Sequence, residues 1–431
     1  MTPQQQVQDL LDFIDASPSP WHAVSTIVQR LQAFGFKRLA ESEPWRVIPN
    51  GRYFVVRDDS SIVAFVVGSK SLAETGFKIV GAHTDSPGLR VKPQPMIDSE
   101  NLLRLAVEVY GSPILATFAD RDLSLAGRIA FLDSDGNIVS KLLRFDKSLL
   151  RLPNLAIHMN RGVNEDGLKL NKQTELSLIL AIASEQIPVN RLQKLLEQAS
   201  GIEASRILSW DLNVYDTQKG AFWGEDELFY TNSQLDNLAS CHAALSALLN
   251  DAALDSGNTL VCAFFDHEEI GSESCKGAAG SFLPDVLERI ALSTCNADDF
   301  RRALANSFMV SVDMAHAYQP NFSNAYEPGH KIRVNQGPVV KINANQRYAT
   351  ECISEATFIN ICQQQGLPYQ KYAHRGDLPC GSTIGPIASA KLGIRSVDVG
   401  SPMWAMHSIR ESAGVQDHAY MIGALRGFFS S

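Results

Sequence analysis

The chain has 431 residues, 45% of them hydrophobic, and a formal net charge of −9. That length exceeds the roughly 250–300 residues at which single cores stop growing, so two domains are expected. The acidic balance without a Lys/Arg stripe excludes nucleic acid as the expected partner, and no apolar run approaches the roughly 18–20 residues of a membrane helix.

The N-terminal MTPQQQVQDLLDF has no basic stretch leading into an apolar one, so no signal peptide is expected. The seven cysteines (Cys241, Cys262, Cys275, Cys295, Cys352, Cys362 and Cys380) are odd in number and form no CxxC pair. They favour free thiols in a reducing cytoplasm and make thiolate metal ligation unexpected.

In chain order, Val7, Leu10, Leu11 and Ile14 recur at helical spacing. Val24, Ile27, Val28 and Leu31 repeat the pattern, and Gly35 can end that helix. Phe54–Val56 and Ile62–Val67 read as strands around Asp58-Asp59-Ser60-Ser61, and Phe77–Ala82 is a short apolar strand running into His83. From about Val91 to Ser233 the texture becomes that of half-exposed antiparallel strands. Leu103, Leu105, Val107 and Val109 alternate with polar or small residues, as do Leu208, Trp210, Leu212 and Val214. Glu175 to Ala199, broken near Pro188, reads as a helix within this region. After Ser233 the α/β texture returns. A helix is marked by Leu235, Leu238, Ala239, His242, Leu245 and Leu249, and apolar strands follow at Leu260–Phe265, Phe308–Val312 and Val339–Ile342. A terminal helix covers about Val415–Phe429. The expected fold is α/β: a catalytic domain with a central mixed sheet, made of residues 1–90 and 234–431, carrying an inserted β-rich dimerisation domain at 91–233.

Three apolar strands end in side chains that can bind metal: His83 and Asp85, then Asp266 to Glu269, then Asp313. In open α/β sheets ligands bind beyond the carboxyl ends of the strands. Acids placed abruptly after the buried run VCAFF are costly unless ligated or hydrogen-bonded. In His-x-Asp the two side chains share a face of an extended segment, so the carboxylate can fix the imidazole tautomer. Asp236 and His407 could complete the set. Mixed imidazole and carboxylate ligands suit zinc, manganese or cobalt, and five of them exceed the three that one catalytic zinc takes. Each residue also has a plainer reading. Asp236 could favour a helix N-terminus, His83 could be a satisfied core histidine, and Glu268 with Glu269 could be a solvated pair. His22, His242, His267, His316, His330, His374 and His418 are expected to be structural, at the surface or behind the metal ligands.

An ordered series of motifs then becomes recognisable: SPSPWHAV at 17–24, GAHTDSPGLRVKP at 81–93, RLPNLAIHMNR at 151–161, SQLDNLAS at 233–240, FFDHEEIGS at 264–272, SVDMAHA at 311–317, GPVVKINANQRYAT at 337–350, DLPCGSTIGPI at 377–387 and GSPMWAMHSIRE at 400–411. The chain resembles the aspartyl aminopeptidase family of co-catalytic zinc peptidases over nearly its whole length. The resemblance implies two divalent metal ions, His83, Glu269, Asp313 and His407 as terminal ligands, and Asp236 as a bridging ligand. Glu268 looks like the general base and Asp85 like the partner that orients His83. Lys341 matches the lysine that meets an acidic first side chain, with Tyr348 adding a hydrogen bond; an exposed strand lysine is the alternative. His158 matches a histidine that reaches a neighbouring subunit's site to steady an oxyanion; a metal ligand, or a core histidine among Leu155, Ile157 and Met159, are its other readings. The implied activity is removal of N-terminal Asp, then Glu, from peptides by a cytoplasmic homo-dodecamer built from dimers. A two-metal aminopeptidase or deacylase of neutral or broad specificity, and a silent shell protein, are the competing expectations.

Overall fold

The computed structural model describes residues 1–183, 191–250 and 256–431. Its centre is a nine-stranded mixed sheet. The strand order is Lys37–Leu39, Arg52–Arg57, Ser61–Val66, Thr259–Phe265, Phe77–His83, Phe308–Val312, Arg395–Gly400, Val339–Ile342 and Gln370–Ala373. The four inner strands from Thr259–Phe265 to Arg395–Gly400 run parallel, and Ser61–Val66 and Val339–Ile342 flank them antiparallel. A strand buried on both faces needs no polar alternation. Thr259–Phe265 is accordingly buried throughout. Its Leu260, Cys262 and Phe264 enter a core with the helices Pro3–Asp15, Pro20–Ala33, Leu235–Leu248, Cys352–Gln364 and Val415–Ser430. Val261, Ala263 and Phe265 enter the opposite core, beneath Phe282–Thr294, Ala297–Asn306 and Ile384–Leu392.

A second, wholly antiparallel sheet has six strands in the order Ile138–Arg144, Leu123–Leu132, Ile207–Asp216, Gly88–Ser99, Leu102–Tyr110 and Leu178–Ile182. It has its own core, including Leu105, Leu125, Ile129, Leu178 and Leu212. Two elements here differ from the sequence reading. Leu178–Ile182 is an edge strand paired with Leu102–Leu105, and among the described residues the helix covers Arg191–Ser200; Pro188 lies outside them. The run LSLILAIA satisfies both periods, and an open sheet edge decides for the strand. The register of Ile207–Asp216 slips between Ile207 and Ser209, so Ile207 turns inward while Leu208 is 51% exposed. One extra residue at a bulge exchanges the faces of what precedes it.

A third sheet of five strands joins Ala221–Trp223 and Phe229–Asn232 to Glu411–Gly414, Pro402–Trp404 and Ala315–His316. No helix among the described residues is long and apolar enough to cross a membrane.

The helices on the first face are tied by one polar network. Asp9 accepts both Arg30 guanidinium nitrogens at 2.8 Å and His242 Nε2 at 2.8 Å, and His242 Nδ1 meets His418 Nε2 at 2.9 Å. The network crosses four helices, with His242 and His418 buried and Asp9 and Arg30 partly open to solvent. His242 and then Arg30 hold the Asp9 pKa well below its usual value against the opposing effect of burial. The stabilisation is therefore present above the ordinary carboxylate pKa and is lost as pH falls through the depressed one. Asp9→Asn is expected to lower the unfolding free energy by about 1–2 kcal/mol at pH 7, discounted for the half-exposed carboxylate. The gap to the wild type should narrow below about pH 4. Urea unfolding at pH 7 and pH 3 checks this, and a gap that widens in acid would contradict it.

Candidate metal centre

The strands Thr259–Phe265, Phe77–His83 and Phe308–Val312 lie side by side and parallel, with Phe265 opposite His83. Their carboxyl ends therefore discharge His83, the Asp266–Glu269 turn and Asp313 into one place. Asp236 arrives from the opposite side of the sequence. Its residue range opens the Leu235–Leu248 helix, but Asp236 (φ −83°, ψ 104°) and Asn237 are not helical. Asp236 is therefore not the first-turn acid that a macrodipole reading requires; it points among histidines. Close approach matters as well, because a side chain at Gly400 would collide with the Asp313 carbonyl oxygen.

His83 Nε2 stands 3.4 Å from Asp236 Oδ1, 3.6 Å from Asp313 Oδ1 and 3.9 Å from Glu268 Oε2. His407 Nε2 stands 3.4 Å from Asp236 Oδ2 and 3.4 Å from Glu269 Oε2. These spacings exceed good hydrogen bonds. The four to Asp236, Asp313 and Glu269 match the edges of a tetrahedron around zinc, about 3.3–3.6 Å for bonds of about 2.0–2.2 Å, and the one to Glu268 is longer. The two oxygens of Asp236 each face one histidine, and Asp236 Oδ1 is buried without a hydrogen-bond donor. Potential ligand atoms of His83, Glu268 and Asp313, and of His83, Asp236 and Glu269, also fall within 4.8 Å of one another. The donor set therefore fits divalent cations.

The electrostatics point the same way. Burial disfavours a charged His83, but Glu268, Asp236, Asp313 and Asp85 outweigh it and lift its pKa well above 6.5. Burial also opposes charge on His407, and Asp236 overcomes this to bring it to about 9. Burial first, then Asp313, Asp85 and Asp236, pushes Glu268 up to about 8. Burial and Asp236 carry Glu269 well above its usual range. Asp236 goes the other way: against burial, His407 and His83 hold its pKa below the usual range. Two imidazoles and two glutamates that hold protons too tightly still mark a cluster short of positive charge.

Two buried carboxylates support the cluster. Asp85 accepts the Glu268 N–H at 3.2 Å, the Glu269 N–H at 3.1 Å and the Tyr110 hydroxyl at 2.7 Å, and its Oδ1 is 3.3 Å from His83 Nδ1. His83 Nδ1 also faces the Asp85 carbonyl at 3.0 Å. With Nδ1 donating there, Nε2 keeps its lone pair toward the acids. Glu411 accepts the N–H of Asp236 at 3.0 Å and that of His407 at 2.7 Å, while His407 Nδ1 meets the Ser112 carbonyl at 3.0 Å.

A cavity of about 420 Å³ opens over these groups and is also lined by Lys341, Tyr348 and His316. Lys341 is 2% exposed. Its Nζ donates to the Met314 carbonyl at 3.1 Å and lies 5.1 Å from the centre of the Tyr348 ring. It is therefore not an exposed strand lysine. Burial, then Lys341 and His374, drives the His316 pKa down to about 4. Of the sequence candidates, His83, Asp85, Asp236, Glu268, Glu269, Asp313, His407, Lys341 and Tyr348 thus come together. His158 does not join them in this chain. It is exposed on a segment where Leu155, Ile157 and Met159 are 67%, 48% and 75% exposed, so it is not a core histidine. The sequence reading does not single out Tyr110 or Glu411, and it gives His316 no role apart from the other histidines. Glu411 sits inside a quoted motif, but a glutamate four residues after a histidine carries no signal of its own.

A helix-covered mixed sheet with a histidine–carboxylate cluster at its parallel strand ends has the build of a metal-dependent hydrolase. Residues 13–429 match the family described as aminopeptidase I zinc metalloprotease (M18). The chain is 48% identical to a "Probable M18 family aminopeptidase 2" of Stutzerimonas stutzeri strain A1501 over 427 residues, covering 98% of each. Among solved structures it is similar to Ape4 in a cryo-EM complex with Nbr1, with 38% identity and a TM-score of 0.96 over 100% of this chain and 86% of that one. It is also similar to the mApe1 dodecamer of S. cerevisiae, with 28% identity and a TM-score of 0.85 over 98% and 95%. The chain belongs to the M18 family of zinc metallo-aminopeptidases.

Exhaustive chelation is expected to lower the melting temperature. Free zinc at 100 times its dissociation constant should return about 2.7 kcal/mol of stability. Calorimetry reads this directly, and a transition indifferent to both chelator and zinc would count against a cation in this cluster.

Proposed function

We propose that this aminopeptidase removes acidic residues, aspartate first and glutamate next, from peptide N-termini, using two divalent ions, zinc foremost, with manganese or cobalt as substitutes. The observation that carries the acidic preference is Lys341, a buried ammonium on the cavity wall. The Met314 carbonyl takes one of its three donors, and Asp313 Oδ2 at 3.8 Å is too far for a hydrogen bond. A substrate carboxylate would satisfy the remaining donors, and Tyr348 stands ready beside it.

Bound ions would supply Lewis acidity that anchors the free α-amine and polarises the scissile carbonyl. His83 and Asp313 would hold one ion, His407 and Glu269 the other, with Asp236 shared between them. Glu268 takes a proton from the attacking water and delivers it to the leaving amine. Its side chain is 14% exposed, the most open of the four clustered acids. Asp85 grips the Glu268 backbone and the His83 ring, which sets the directions of base and ligand together. His158 acts from a neighbouring subunit, where it donates to the carbonyl oxygen as charge develops. Its exposed apolar neighbours support a segment that a second copy covers. A homo-dodecamer built from dimers is inferred, on likeness to the yeast dodecamer. All seven cysteines are free, which supports a cytoplasmic location.

Lys341→Ala is expected to cut kcat/KM on Asp-terminal peptides by about 30- to 1,000-fold, the equivalent of about 2–4 kcal/mol. Leu-terminal peptides should change little. Paired assays after chelation and metal return test this, and an equal loss on both substrates would remove Lys341 as the specificity residue. Glu268→Gln should lower kcat by about 10²–10⁴-fold with the metal content of the wild type. Near-normal turnover in that variant would sink the base assignment.

A further inference from the structure

Asp236 and His407 share a support that neither residue's own element provides. Glu411 is 2% exposed and opens the strand Glu411–Gly414. Pairing with Asn232 and the Thr231 hydroxyl on its carbonyl, at 2.6 Å, fix its main chain. From there its two carboxylate oxygens divide their work, Oε2 on the Asp236 N–H and Oε1 on the His407 N–H. Both recipients need it. Asp236 follows Gln234, which has φ +58°, and His407 itself has φ +68°, so both segments hold left-handed residues that a free chain seldom adopts. With its backbone gripped by Glu411 and its Nδ1 on Ser112, His407 can aim Nε2 only toward Asp236 Oδ2 and Glu269. His83 itself is held by Asp85 on the other side and meets the Glu411 support only through Asp236.

We propose that Glu411 is a positioning residue that sets chiefly the affinity of the ion between His407, Glu269 and Asp236, because it grips two of that ion's three ligands. The ion beside His83 and Asp313 shares only Asp236 with Glu411. This rests on the two-ion reading above.

The test is calorimetric zinc titration of the metal-free protein, with bound metal counted after dialysis. The wild type should take two ions. His407→Ala should lose one binding event and so label it. Glu411→Gln keeps the volume but meets one of the two backbone N–H groups with an amide NH₂. It should weaken that same event by about 10- to 100-fold and the other distinctly less. The metal-free melting temperature is the control for folding. If it falls, Glu411→Asp takes the place of the glutamine variant, since it keeps the charge but falls one methylene short and should weaken the same event. Unchanged affinities for both ions, or equal weakening of both, would overturn the proposal while the two-ion reading stands. Fewer than two ions on the wild type would overturn the two-ion reading and this proposal with it.

Discussion

Negative charge gathered in a buried pocket is the constraint on which the rest of this molecule depends. Asp236, Glu268, Glu269 and Asp313 face one another around two imidazoles, and Lys341 is the one lysine or arginine among the described residues lining the cavity. In water these acids would simply stay apart. Here desolvation penalises each carboxylate while its neighbours repel it, so the group is tolerable only with bound cations or extra protons. The arrangement persists because the scaffold around it leaves the side chains nowhere else to go.

That scaffold has two levels. The parallel strands of the central sheet deliver His83, the glutamate turn and Asp313 in register, which places them but does not orient them. Orientation comes from backbone amides held on two buried carboxylates, Asp85 and Glu411, and from non-glycine residues with positive φ around the cavity: Gln234, His267, Ser272, Ala405 and His407. Such conformations cost about 1–3 kcal/mol each and survive only where the surroundings over-determine them.

The six-stranded sheet is part of this arrangement. The strand Leu102–Tyr110 ends beside the centre, where the Tyr110 hydroxyl donates to Asp85 and, two residues on, the Ser112 carbonyl receives the His407 ring. Arg90 lies 3.7 Å over the Tyr110 ring and ties it further into that sheet. Both histidines of the centre are therefore aimed in part by Tyr110 and Ser112, at the end of that strand. A change of fit between the two sheets would be felt at the cluster, because close-packed interiors transmit small displacements.

The amino-acid order determined more of the site than of its support. Buried parallel strands read as unbroken apolar runs, so FKIVGA, TLVCAFF and FMVSV could be recognised and the acids after them noticed; His83-x-Asp85 followed from local geometry, and the distinct roles of Glu268 and Glu269 only from the family resemblance. The sequence was less decisive at Leu178–Ile182, where one run satisfies two periods, and at Leu208, where a bulge reverses the face. It was silent on Tyr110 and Glu411, whose contacts join segments far apart in the chain. Local order specifies what a strand end can offer, since period and burial act over a few neighbours. Only the tertiary structure decides which carboxylate accepts which distant backbone amide, because that pairing exists only after the sheets and loops have closed around it.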